Sequence, residues 1–265
     1  GRGLSGGGRV AEYTHHLLAA LLVSLRLVPT LAFAGPFTLF RIPPMVRVLV
    51  ALPLSLWLVS GRPESTVEVV ARGESLLALA VGELVVGIAI ALSIQLAFAA
   101  ILWAGRVIDI QAGFGLALLA DPAMQGQMPL VGTVLAYAAA IVFFTMGAHY
   151  DLLALWAATL DTLPLGHGVR HGEMAALLWL TGQLFGLALA LVGVIMLALF
   201  LLDLTIGFLS RTLPQMNALL LGFQVKAMAV LVTLPIAIGL SAGGLVRILR
   251  LSLEGGPRLI GLGGV

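Results

Sequence analysis

The stretch DIQAGFGLALLADPAMQGQMP occupies residues 109–129. It interrupts a chain that is otherwise mostly Leu, Ala and Val, and it crowds Gly, Gln, Asp and Pro around an apolar centre, FGLALLA. A bilayer-crossing helix has no use for so many breakers together, and a loop in water has no use for so apolar a centre. Gly113 and Gly115 open backbone geometries closed to other residues. Pro122 fixes the exit, and Asp121 can accept local backbone hydrogen bonds in a turn. Irregular backbone at membrane depth is tolerated where protein encloses it or where it lines a cavity. The residues therefore predict a bent, mostly apolar segment packed among helices.

The flanks say what those helices are. The 265 residues are 60% hydrophobic and 10% charged, against about 25% charged in soluble domains. A soluble globular fold is set aside on that contrast. The net charge of +2 is too small to argue for nucleic acid. The chain has no cysteine, which excludes disulfides, thiolate metal sites and a Cys nucleophile.

Six apolar regions are long enough to consider as spans, near 14–34, 45–60, 75–105, 129–160, 174–208 and 215–252. Helix is the expected state because backbone groups in lipid need partners within their own segment. The chain shows long continuous runs rather than the short alternating strands of a barrel. The fold class is all-α, a polytopic membrane protein. Several runs exceed one perpendicular span and must tilt, kink or project. RIPPMVR (41–47), SGRPEST (60–66), DTLPLGHGVRHGE (161–173) and SRTLPQMN (210–217) punctuate them. The last of these predicts a helical hairpin from the two long runs that it joins. Lys and Arg are spread over most connections and do not pick a cytoplasmic side. The Gly-rich opening, residues 1–11, is expected to be a flexible leader.

Polar residues inside the apolar runs are the next candidates. Arg26, Glu83, Gln95, Asp203 and Lys226 must face a partner, water or a cavity, because a charge at mid-bilayer costs about 2.5–3.5 kcal/mol on insertion scales. Their scatter favours hydrogen bonding between helices or subunits over a proton relay. Arg26 calls for an acid on a neighbouring helix, which the sequence does not name. Gly182 and Gly186 have the small-xxx-small spacing of close helix contact. His167, His171 and Glu173 would suit a metal on a helix, but the glycines around them predict a solvated loop instead. His149 reads as the end of a helix. Gly3-Leu4-Ser5-Gly6-Gly7 matches G-x-S-x-G only formally, without the strand-to-helix turn a nucleophile elbow needs. No catalytic residue, metal or cofactor is expected.

The stretch ELVVGIAIALSIQLAFAAILWAGRVIDIQAGFGLALLADPAMQGQMP (83–129) carries a Glu early in a long helix, then QLAFAA, AG, I-x-x-Q-x-G, DP and a Pro opening the next helix. With RLVPTLAFAGPF and RIPPMVR before it, and FFTMGAHYDLLALWAATLDTLPLG and GFLSRTLPQMNALLLGFQVK after it, this ordered set resembles the family of the flagellar biosynthetic protein FliR. The family also includes the T component of virulence-type type III secretion export apparatuses. The resemblance spans about residues 12–250. It implies a non-enzymatic subunit of the flagellar type III export gate in the bacterial inner membrane, at the flagellar basal body. It also implies a FliP-like part over 12–173 and a FliQ-like helical hairpin over 174–265. The implied partners are FliP-like and FliQ-like subunits, other export-apparatus membrane proteins, membrane lipid and unfolded protein substrates.

In that family the segment matching 110–123 plugs the closed pore. The carry-over makes Ile110, Gly113, Phe114, Gly115, Leu116, Leu118, Leu119, Asp121 and Pro122 the plug candidates. An ordinary packed re-entrant loop is the alternative for the segment. For the whole chain, the alternatives are an injectisome subunit, a secondary transporter, which would show a second broken segment, and, more remotely, an intramembrane enzyme.

Overall fold

The computed structural model describes residues 6–40, 42–73, 75–114, 129–167, 174–212, 218–240 and 242–261. Among them are ten helices and no strand: α1 (Gly6–Phe33), α2 (Gly35–Leu39), α3 (Pro44–Gly61), α4 (Val67–Ala71), α5 (Leu76–Ala112), α6 (Leu130–Thr145), α7 (Ala148–Thr162), α8 (Met174–Thr212), α9 (Ala218–Leu240) and α10 (Ala242–Leu259). Five are long and apolar enough to cross a membrane, or six spans if the bent pair α6–α7 counts as one. The expected all-α polytopic fold is what the chain adopts.

Local chemistry sets the helix ends. Pro36 sits in the first turn of α2 and Pro44 opens α3, where a missing N–H is harmless and the fixed φ is already helical. The Pro43-Pro44 pair thus opens α3, while α2 has already ended at Leu39. Arg47 donates to the Ala32 carbonyl at 2.5 Å and so places a cation on the last turn of α1, where the helix dipole favours it.

At about 1.5 Å per residue, the 37 residues of α5 and the 39 of α8 run to about 55 and 58 Å. The hydrocarbon core of a bilayer is about 30 Å thick, so neither helix is confined to it in a perpendicular pose.

Three expectations need correction. The run read as continuous over 129–160 is two helices, bent by 68° between Thr145 and Ala148. Gly147 takes a left-handed φ of +79° there, which ends α6 as glycine typically ends helices. The run over 215–252 is also two helices. The second, α10, buries Leu245, Ile248, Leu249 and Leu253 and exposes Arg247, Arg250 and Glu254, an amphipathic face rather than an apolar span. The expected leader is helical in its backbone from Gly6 onward, because each residue added to an existing helix gains a hydrogen bond. Residues 1–5 and 213–217, the latter expected to be a turn, lie outside the described residues.

The helices form two compact units, each assembled from separated stretches. The first takes in residues 1–96, 147–180 and 250–265, the second 97–146 and 181–249. In the first unit, Leu27, Leu58, Leu79, Ile90, Ile94, Leu152 and Trp156 are among the fully buried large side chains. Phe98, Ile101, Ile108 and Phe143 hold that place in the second. Extensive apolar surface stays uncovered, including Met45 and Trp57 on α3, Val194 and Phe208 on α8 and Met228 and Leu231 on α9. Exposed apolar faces of that extent suit lipid or neighbouring membrane subunits.

Candidate functional site

The second unit contains the entrance and exit of the stretch quoted first. α5 runs further than the apolar pattern predicted, to Ala112, so Ile110 is the exposed final-turn residue of a helix. The helix then closes with a Schellman arrangement. Gly113 has a φ of +89°. Its N–H donates to the Ile110 carbonyl at 3.1 Å, and the Phe114 N–H donates to the Asp109 carbonyl at 2.9 Å. Two of the carbonyls that a helix end leaves unpaired are satisfied this way. The next, on Gln111, accepts from Lys226 Nζ at 3.3 Å. Gln111 Nε2 in turn donates to the Met196 carbonyl of α8 at 3.4 Å.

The exit is held at the same place. Asp109 is 6% exposed, and its Oδ1 accepts a hydrogen bond from the Val131 N–H at 3.1 Å. Its carboxylate therefore sits on the first turn of α6, where unpaired N–H groups and the helix dipole favour a negative charge. The two helices are in backbone contact here. A Cβ at Gly132 would lie 2.8 Å from the Leu102 carbonyl, and one at Gly105 would collide with the Gly132 backbone. Residues 109–131 thus leave and return through one neck, with a cation on the helix end before the break and an anion on the helix start after it.

α8 and α9 hold the root from another side. Lys226 forms an ion pair with Asp203 across the two helices, and Ile206 packs under Gly222. The Phe223 ring meets Phe114 edge-on, with centroids 6.3 Å apart, and lies 3.1 Å from where a Cβ on Gly113 would stand. Two of the predicted polar residues, Asp203 and Lys226, are thereby brought together beside Gly113 and Phe114. The remaining plug candidates, Gly115, Leu116, Leu118, Leu119, Asp121 and Pro122, lie outside the described residues.

The first unit holds the other predicted pair. Arg26 on α1 and Glu83 on α5 are both fully buried and bonded twice, at 2.6 and 3.0 Å. Arg26 also donates to Thr159 Oγ1 at 3.2 Å and to the Leu163 carbonyl at 3.0 Å, while Glu83 accepts from the Gly166 N–H at 3.3 Å. Every charged oxygen and nitrogen of the pair so named has a partner, which is what a buried ion pair requires. Gly87 makes the approach possible, since a Cβ there would stand 2.6 Å from the Arg26 carbonyl. Just after α7, Leu163 and Leu165 are buried, while His167, in the loop expected to be solvated, is exposed.

Two of the expected contacts are not made within this chain. Gln95 is exposed rather than buried between its helices; it lies twelve residues after Glu83, roughly a third of a turn off that residue's face at 100° per residue. Gly182 and Gly186 meet nothing within 4 Å, and the close backbone approaches fall at Gly87, Gly105 and Gly132. Among the described residues no group of three or more His, Asp or Glu could hold a metal ion; His171 and Glu173 lie outside them. Asp109 and Gln111 were missed as site residues. Their signal is that they are the last polar side chains before the break, where helix ends need partners.

Five apolar spans, or six if the bent pair α6–α7 counts as one, define a multi-pass helical membrane protein. The family model described as "Bacterial export proteins, family 1" matches residues 17–251, and the chain belongs to that family. It is 30% identical over 202 residues to the flagellar biosynthetic protein FliR of Escherichia coli (strain K12), covering 75% of this chain and 76% of that protein. It is 32% identical over 158 residues to FliR of Pectobacterium carotovorum subsp. carotovorum, covering 59% of this chain and 60% of that protein. The secretion system apparatus protein SsaT of Salmonella typhimurium (strain LT2) is 23% identical over 172 residues, covering 63% of this chain and 66% of SsaT.

Proposed function

We propose that this chain is a non-enzymatic subunit of the flagellar type III protein export gate in the bacterial inner membrane. In this reading it helps to form the pore through which unfolded flagellar proteins leave the cell, and residues 110–123 plug that pore when it is at rest. The observation that carries the reading is the neck: a segment with an apolar centre leaves α5 and re-enters at α6 between Asp109 and Val131. Such a loop can be fixed at its base while its apolar middle, FGLALLA, meets the lumen, where an apolar constriction excludes water and ions.

FliP-like and FliQ-like subunits are the proposed partners, with residues 12–173 corresponding to the former and 174–265 to the latter. The uncovered apolar faces of α3, α8 and α9 support an assembly of this kind, as do the exposed Gln95, Gly182 and Gly186, which would then meet neighbouring subunits. The charged side chains Arg26, Glu83, Asp203 and Lys226 are engaged in joints between helices, which supports a structural and gating role over a chemical one. Flagellar export is favoured over the virulence counterpart because the FliR relatives match at 30% and 32%, and SsaT at 23%.

The test is purification of the tagged chain from its native membrane in mild detergent. FliP-like and FliQ-like proteins should co-elute as one complex. Recovery of the chain alone, from membranes in which those proteins are present, contradicts the proposal.

A further inference from the structure

We propose that Lys226 is a positioning residue that fixes the root of the gating segment by holding the Gln111 carbonyl, and that its pairing with Asp203 serves to aim it there. The inference rests on the gating role proposed above and adds what controls that segment.

The Schellman arrangement at Gly113 satisfies the carbonyls of Asp109 and Ile110, and the Gln111 carbonyl is the next that the helix end offers to a donor from another segment. Lys226 meets it with an ammonium group at 3.3 Å, and a cation is also the charge that the C-terminal dipole of α5 favours. The ammonium is a compact charge with three donors, so it can serve Asp203 and the Gln111 carbonyl together.

Asp203 is more exposed than Lys226, at 41% against 18% for the side chains, so the acid lies on the outer side of the lysine and the carbonyl on the inner. Phe223, one turn before Lys226 on α9, braces Phe114. One face of α9 therefore holds both the last turn of α5 and the residue that follows its glycine. A lysine needed only to join α8 to α9 would have no reason to reach a carbonyl of α5.

A charge swap separates the two roles. In the assembled export complex, Lys226→Met should speed hydrogen exchange at the Gly113 and Phe114 amides by roughly tenfold or more, the scale of losing a charge-assisted hydrogen bond, and should raise ion flux through the resting complex. Lys226→Arg keeps a cation and should stay close to wild type in both. The double variant Lys226→Asp with Asp203→Lys restores the ion pair between α8 and α9 but turns a carboxylate toward the Gln111 carbonyl. It should regain the thermal stability of the complex while exchange and flux stay high.

If the swap restores slow exchange and a sealed complex, Lys226 acts only through Asp203 and the proposal is overturned. Deletion of residues 114–119 is the reference. Should the deletion leak and Lys226→Met neither leak nor exchange faster, the inference about Lys226 fails and the plug reading stands. Should the deletion not leak, the plug reading fails, and the exchange at Gly113 and Phe114 still decides whether Lys226 fixes the root.

Discussion

Asp109 and Val131 are 22 positions apart in sequence and 3.1 Å apart in space, carboxylate to amide. This hydrogen bond makes the intervening residues a closed loop with a fixed base rather than a long tether. The end of one helix exposes carbonyls and the start of the next exposes N–H groups. Here one side chain of each sign answers them, Lys226 before the break and Asp109 after it.

Replacing Asp109 therefore acts on the neck. Asp109→Ala should destabilise the chain by about 1.5–3 kcal/mol, the range for hydrogen bonds to charged groups. Asp109→Asn keeps an acceptor oxygen and loses the charge, so it should fall between Ala and wild type. Thermal unfolding of the purified complex measures the order. Asn behaving like Ala would show that charge, not the acceptor, holds α6.

The glycines differ in what they tolerate. Gly105→Ala forces a methyl group into the Gly132 backbone, and Gly87→Ala one against the Arg26 carbonyl; overpacking of that kind costs about 1–3 kcal/mol. Both variants should accumulate poorly in membranes. Gly207→Ala on α8 meets nothing within 4 Å and should accumulate at least as well as wild type, since Ala favours the helix over Gly by about 0.5–1 kcal/mol. Immunoblots of membrane fractions give the comparison.

The buried pair of Arg26 and Glu83 should be worth less than its removal suggests. Arg26→Met or Glu83→Leu alone strands a buried charge, at a cost of about 3–5 kcal/mol. The double variant strands none and should recover most of that loss, with export following stability. A proton-relay role predicts instead a double variant that is stable and does not export.

At Gly147, a substitution to Ala must adopt φ near +79° or unbend the junction of α6 and α7. The left-handed conformation disfavours Ala by about 1–2 kcal/mol, so Gly147→Ala should lower the unfolding temperature, while Gly147→Asn, which tolerates that geometry better, should lower it less.

How far the sequence disclosed this arrangement depends on the kind of contact. Apolar runs such as LLALAVGELVVGIAIALSIQLAFAAILWAG announce a helix by themselves, since each residue's backbone partners lie within the same segment. The bend at Gly147 was harder, because GAHYD lies inside a run whose overall apolarity hides one left-handed residue. That Arg26 needs an acid follows from burial alone. That the acid is Glu83, 57 positions on, depends on where Gly87 lets α1 and α5 touch, and no local pattern encodes that. Gln95 shows the reverse limit: a polar residue in an apolar run demands an environment, but periodicity on one helix does not say whether this chain or another surface supplies it. The root of the opening stretch was legible in outline from Gly113 and its neighbours; its anchor on Lys226 comes from a helix more than a hundred residues away.

The central claim is that the segment within 110–123 seals the export gate at rest. The most direct measurement is the conductance of the purified complex in a planar lipid bilayer, wild type against a deletion of residues 114–119. A silent wild-type complex and steady ion-conducting steps from the deletion are expected. Equal silence from both, with the deleted complex assembled intact, would contradict it.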